Sequence, residues 1–216
     1  MNERDGVIKY RLEHRHCTLA INTNIGQINA WRTVLFKLKL IGQSPEKYQG
    51  LGYGNISQRL KPKAMRFLIS GTQTAHLDFL STEHFAIVDW ASPIDNTIHS
   101  SGPCKPSSEA LTHASVYLHS PTTQAVIHVH CPEIWRNTHK LHLPYTHADI
   151  AYGTVEMAEA VEKLFTSKQF NKTPIFSMLG HEDGIVAFGN TLENAAITLL
   201  TQFANAIAIE QTNRAR

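Results

Sequence analysis

Apolar positions change period several times along the chain, and each change marks an element. Residues 6–17, GVIKYRLEHRHC, alternate apolar with polar and read as a strand, and their charges suit the edge of a sheet with the pair His14/His16 facing solvent. Across IGQINAWRTVLFKLKLIG the period becomes 3.6, with Ile28, Trp31, Leu35 and Leu38 on one stripe. That stripe is the expected buried face of a helix stopped by Gly42 and Pro45. From Tyr48 to Trp90 the pattern breaks into turns and short strands, YQGLGYGNISQRL, MRFLIS and FAIVDW. A second helix is expected over PCKPSSEALTHASVYLHS, opened by Pro106 and Ser107 and closed before Pro121.

QAVIHVH then reads as a strand, and THADIAYGTVEMAEAVEKLF passes from loop to helix. Thr154 is its expected N-cap, with Val155, Ala158, Val161 and Phe165 turned inward. PIFSMLGHEDGIVAFG gives two short strands around a turn, and TLENAAITLLTQFANAIAIEQ closes the pattern as an amphipathic helix. No repeat or low-complexity linker interrupts the series. Strands interleaved with helices imply a single α/β domain with a mixed or antiparallel sheet covered by helices.

Composition narrows the function classes. The 216 residues are 42% hydrophobic and 18% charged, values of a folded, enzyme-sized unit. Net charge is only +2 and no basic stripe is present, so nucleic acid is not an expected partner. No apolar run approaches the roughly 20 residues that cross a bilayer, and the polar start does not resemble a signal peptide. Cys17, Cys104 and Cys131 show no CxxC spacing, which fits reduced thiols in a cytoplasm.

Histidine is the outlier, with thirteen in the chain. Chance alone gives roughly 0.8 His-x-His pairs at that frequency, so the two present, His14/His16 and His128/His130, carry no proof by themselves. Successive side chains of a strand alternate faces, however, which puts His128 and His130 on one side, about 7 Å apart at the backbone and able to close on one ion. Val126 shares their face, and Ile127 and Val129 pack the other. Two exposed polar residues would read the same way.

His181, at a glycine-flanked turn, is either a third ligand or a histidine in water. Three imidazoles would leave a fourth coordination position open, as catalytic zinc requires. Ser107 and Ser108 at a helix start suit an anion and equally suit plain capping, with Glu109 complementing the helix dipole. His113 reads as a local hydrogen-bond partner. GYGNIS and LISGTQT could each wrap an anion or be ordinary turns.

Taken in order, GNIS, FLISG, PSSEALTHASVY, AVIHVH, AYGTVEMAEAV and LGHEDGIVAFG resemble the class II aldolase/adducin family over roughly residues 25–205. Residues 1–24 then form an N-terminal extension with an edge strand, and 25–216 the family-like domain. The resemblance implies a three-layer αβα sandwich around a mixed or antiparallel central sheet, in a homotetramer with sites at subunit interfaces. It also implies zinc, or another divalent metal such as cobalt, manganese or iron, on His128, His130 and His181.

Glu109 would be the acid/base, able to ligate the metal at rest and swing away. Gly54, Asn55, Ser70, Gly71, Ser107 and Ser108 would surround the anionic end of a small substrate. The implied activity is reversible aldol cleavage of a hydroxycarbonyl or sugar compound, with or without phosphate. Dehydration or epimerisation of a sugar phosphate at the same site is the alternative, and a non-catalytic adducin-like interaction domain the second. One departure stands out: the family usually has glycine directly after the third histidine, whereas Glu182 and Asp183 precede Gly184 here. Asp183 is accordingly a reserve ligand.

Overall fold

The computed structural model describes residues 7–20, 24–171 and 173–214. Gly6, where the first predicted strand begins, and the others of 1–6, 21–23, 172 and 215–216 lie outside that description. In chain order the elements are β1 (Arg11–His16), α1 (Gly26–Lys37), β2 (Gly42–Gln43), β3 (Gly52–Tyr53), β4 (Asn55–Arg59), β5 (Phe67–Ser70), β6 (Phe85–Ser92) and β7 (Thr97–Gly102). They continue with α2 (Ala110–His119), β8 (Ala125–His130), α3 (Pro132–Arg136), β9 (Tyr145–Thr146), α4 (Val155–Thr166), β10 (Ile175–Met178), β11 (Gly184–Gly189) and α5 (Leu192–Arg214).

Nine strands form one sheet in the order β1-β7-β6-β5-β4-β8-β11-β10-β9, and β2 and β3 form a separate ribbon. Interior pairs are antiparallel; the two outermost, β1 with β7 and β9 with β10, are parallel. β1 thus occupies the edge that its charges predict. His16 is exposed on it, but His14 is half-buried, its Nδ1 2.9 Å from Ser100 Oγ on β7.

Alternation along the central strands divides the apolar residues into two layers. Ile127, Val129, Ile185 and Ala187 face α1, α3 and α5. Val126, Val186, Phe176 and Phe67 face α2 and α4. Each fully buried aliphatic side chain contributes about 1.5–3 kcal/mol relative to exposure, so each layer is fastened by many independent increments. The molecule is an α/β structure with helices on both faces of a large mixed sheet.

Several helix faces differ in detail from the predicted stripes. Ile28 and Leu35 are buried on α1, but Leu38 lies just past its end and is 42% exposed. Asn29 and Arg32 are buried in its place, because they bind the loop beneath: Asn29 Nδ2 donates to the Leu80 carbonyl, and Arg32 Nη2 donates to those of Thr74 and Ala75. Thr154 caps α4 as expected, accepting from Met157 N at 3.2 Å. On that helix Met157, Val161 and Leu164 carry the burial, with Val155 and Phe165 only half-buried. No helix among the described residues is long and apolar enough to cross a membrane.

Candidate metal centre

β8 lies between β4 and β11 and is buried throughout. Its apolar residues of one parity commit it to the α1/α3/α5 layer, so His128 and His130 face the other way, near the start of α2. His128 Nδ1 lies 3.2 Å from the Ile185 carbonyl, which can only accept; the ring therefore carries its proton on Nδ1 and presents Nε2 as its ligand atom.

His181 arrives from the turn joining β10 to β11. The two residues before Gly184 do not displace it. They are absorbed by a tight turn in which Asp183 takes φ 60° and Gly184 N donates to the His181 carbonyl at 2.9 Å. Glycine is required at 184, since a Cβ there would stand 2.7 Å from His181 Cδ2. The result is a cluster in which one ligand atom from each of His128, His130 and His181 lies within 4.8 Å of the others. His130 Nε2 and His181 Nε2 are only 3.2 Å apart. Asp183, the reserve candidate, points elsewhere: its Oδ2 accepts from Tyr48 OH at 2.6 Å.

α2 begins at Ala110 rather than at Pro106 or Ser107, because residues 107–110 make a separate turn closed by Ala110 N donating to the Ser107 carbonyl. That turn places Glu109 at the N-cap position instead of inside the first helical turn. Thr112 Oγ1 donates to Glu109 Oε2 at 2.9 Å and fixes the carboxylate, while Glu109 Oε1 stands 3.6 Å from His181 Nε2. His113 bonds outside its helix, its Nδ1 2.7 Å from Ser57 Oγ on β4, and not to the Glu109 side chain.

A polar cavity opens beside His128 and Glu109, walled by Gly54, Asn55, Gly71, Ser107 and Ser108 together with Tyr53 and residues 72–75. Asn55 is the register partner of His128. Gly54 holds φ +75° where a Cβ would meet Ile41 Cγ1 at 2.7 Å. Ser107 N donates to the Ser70 carbonyl, which seams two of these walls together. Ser70 itself is turned to the backbone, accepting from Ile56 N through Oγ, and lies outside the cavity lining. Arg32, through its bonds to Thr74 and Ala75, braces the far wall from α1.

Burial governs the electrostatics. Desolvation lowers the pKa of His128 from 6.5 to about 4, only partly offset by its bond to the Ile185 carbonyl. Desolvation also lowers His130 and His181 well below the ordinary range, reinforced for His130 by His181, His128 and Lys47 and for His181 by His128 and Lys9. The three rings are therefore neutral at neutral pH, the state in which imidazole binds a metal. With the ring neutral, the Glu109–His181 contact is not an ion pair.

Four tyrosines complete the surroundings, and no local signal in the sequence marks them. Tyr48 and Tyr53 flank the His130 ring, with centroids 4.4 and 5.4 Å away. Tyr152 lies 4.7 Å from the His181 ring, and Lys9 Nζ sits 3.6 Å from the centroid of the Tyr152 ring. Tyr10 OH donates to the Ser107 carbonyl at 2.8 Å. The pairing of Tyr with Gly in GYGNIS and AYGT is the nearest approach to a hint.

The family model described as Class II Aldolase and Adducin N-terminal domain matches residues 46–208. No curated protein matches the chain. Among solved structures, L-fuculose-1-phosphate aldolase from Thermus thermophilus is similar with a TM-score of 0.58 at 20% identity, over 87% of this chain and 92% of that one. Sugar-phosphate aldolase from Thermotoga maritima gives 0.63 at 16% identity, covering 88% and 94%. YgbL from Klebsiella pneumoniae, named as a candidate aldolase/epimerase/decarboxylase, gives 0.63 at 19%, covering 86% and 87%. At these identities the structures speak to the fold, and the matched family model decides membership: the chain belongs to the class II aldolase/adducin family.

Proposed function

We propose that the protein is a divalent-metal-dependent lyase, with zinc the metal expected, that cleaves a small hydroxycarbonyl or sugar compound reversibly between two carbons. The observation that carries this reading is the convergence of three buried, neutral imidazoles beside the buried Glu109 side chain, with His128 and Glu109 lining a polar cavity. The donor set fits a metal: His128 is oriented by Ile185, and burial keeps all three rings in the neutral form that ligates. A bound divalent ion would supply Lewis acidity, polarising a substrate carbonyl and offsetting the charge left when the bond breaks.

The chain's own residues would do the remainder. Glu109, its Oε2 occupied by Thr112, is the acid/base, accepting and returning a proton at Oε1. Asn55, Ser107 and Ser108, with the backbone at Gly54 and Gly71, hold the anionic end of the substrate, and Ser70 acts through the backbone it supports. Burial of Glu109, 2% exposed, limits competition from bulk water for the proton. A cytoplasmic homotetramer with sites at subunit interfaces is the assembly consistent with the reading.

Metal analysis of the purified chain, followed by product analysis with L-fuculose 1-phosphate and the unphosphorylated sugar as first probes, tests it. Aldehyde fragments are expected. Glu109→Gln should keep its metal while turnover falls by about 10²–10⁴. Less than a tenth of an equivalent of any divalent metal, or full activity in that variant, would overturn the assignment. Products of intact length, dehydrated or inverted, would keep the site and replace the reaction.

A further inference from the structure

The loop preceding the cavity wall and the turn bearing the third histidine meet through one side-chain hydrogen bond, Tyr48 OH to Asp183 Oδ2 at 2.6 Å. Both partners sit in the left-handed region, Tyr48 at φ 49° and Asp183 at φ 60°. Gln49 and Gly50 follow at 59° and 75°. Non-glycine residues persist in that region only where surroundings hold them there. Here the neighbours include the His130 ring, against which Tyr48 packs, and the Tyr48–Asp183 bond itself.

Tyr48 packs edge-on against His130, with centroids 4.4 Å apart and an interplanar angle of 74°, and its other neighbour is Tyr53 at 5.0 Å. Asp183 holds the same histidine from behind, since its carbonyl accepts from Cys131 N at 2.8 Å, one residue past His130. The turn that Asp183 occupies is closed onto His181, whose carbonyl accepts from Gly184 N at 2.9 Å. One hydrogen bond therefore spans both ligands whose Nε2 atoms lie 3.2 Å apart. On the far side of Tyr48 the chain runs directly into Gly52, Tyr53, Gly54 and Asn55, which wall the cavity.

We propose that Tyr48 and Asp183 form a latch that couples retention of the metal to the shape of the cavity wall at residues 52–55. The proposal rests on the metal-dependent reading above. Neither residue lies in the cavity lining, so both are positioning residues: Asp183 sets the His181 turn, and Tyr48 braces His130 and carries the constraint into the wall. Outer-shell groups of this kind commonly tune metal affinity about 10- to 100-fold.

Titration of the metal-free chain with Co²⁺, followed by the visible absorption of the bound ion, tests the latch without recourse to turnover. Tyr48→Phe keeps the ring against His130 and removes only the hydroxyl. Asp183→Gly removes the carboxylate at a φ that glycine adopts freely. Each is expected to weaken Co²⁺ binding about 10-fold, and the double variant also about 10-fold, because one interaction is lost once. Asp183→Asn, which tolerates the left-handed region and can still accept from the phenol, should stay within about threefold of the parent chain.

Hydrogen exchange over residues 48–55 should slow on adding Co²⁺ to the parent and respond much less in Tyr48→Phe. Co²⁺ affinities within twofold across all variants, or a double variant weakened by the product of the singles, would overturn the latch. So would equal Co²⁺-induced protection of residues 48–55 in parent and Tyr48→Phe. A parent chain that binds no Co²⁺ would overturn the metal reading and the coupling with it, a result distinct from intact binding with silent variants.

Discussion

Replacing His128 with Asn separates the cost of burying an imidazole from the rest of acid denaturation. In the folded chain His128 takes up its proton near pH 4, against 6.5 when exposed. The unfolded chain therefore binds more protons throughout that window, and stability must fall as the pH descends through it. The contribution is fully present above pH 6.5, diminishes down to about pH 4, and is constant below. At about 1.4 kcal/mol per pH unit, the window is worth about 3 kcal/mol, a sizeable part of a domain's usual 5–15 kcal/mol or so. Asn can donate to the Ile185 carbonyl from Nδ2, as His128 does from Nδ1, so the variant loses the titration while keeping the bond.

Urea unfolding with excess chelator at pH 7, 6, 5 and 4 gives both curves. Between the extremes the parent should lose about 3 kcal/mol more than His128→Asn. His113, His130 and His181 are also held below their ordinary range, chiefly by desolvation, so both proteins should still weaken in acid. Parallel curves for the two would refute the claim that burial keeps His128 neutral.

Three further outcomes follow from the geometry. Because the folded chain keeps its ligands unprotonated, its metal affinity should stay nearly flat between pH 7 and 5, where an exposed three-histidine site would weaken steeply; a chelator-competition series measures this. Gly184→Ala should weaken metal binding more than stability, because the new methyl lies within 2.7 Å of the His181 ring; Co²⁺ titration beside thermal melting makes the comparison. Thr154→Ala removes the side-chain acceptor at the start of α4 and should cost about 1 kcal/mol in urea, with the bound-metal spectrum unchanged.

What could be read in advance depended on how far each signal reached along the chain. The strand at 125–130 and the common face of His128 and His130 follow from a period of two, and Thr154 as a cap follows from its neighbours. The start of α2 did not follow, because Ser107 offers the same capping chemistry whether the helix begins after it or three residues later. Leu38 belongs to the α1 stripe by spacing, yet the chain leaves the helix before that position can pack. Tyr48 and Asp183 are 135 residues apart, and Tyr10 and Ser107 are 97 apart. Such contacts depend on how layers settle, which no periodic pattern records.

At its C-terminal half β8 serves two incompatible neighbours at once, hydrocarbon around Ile127 and Val129 on one side and the imidazoles of His128 and His130 on the other. Inserting or deleting a single residue between Ile127 and His128 would reverse the facing of every position on one side of the change, sending imidazoles into oil and branched aliphatics toward the polar cavity. Length variation among descendants of this chain should consequently accumulate in the loops on either side of the strand, and never by one position inside it.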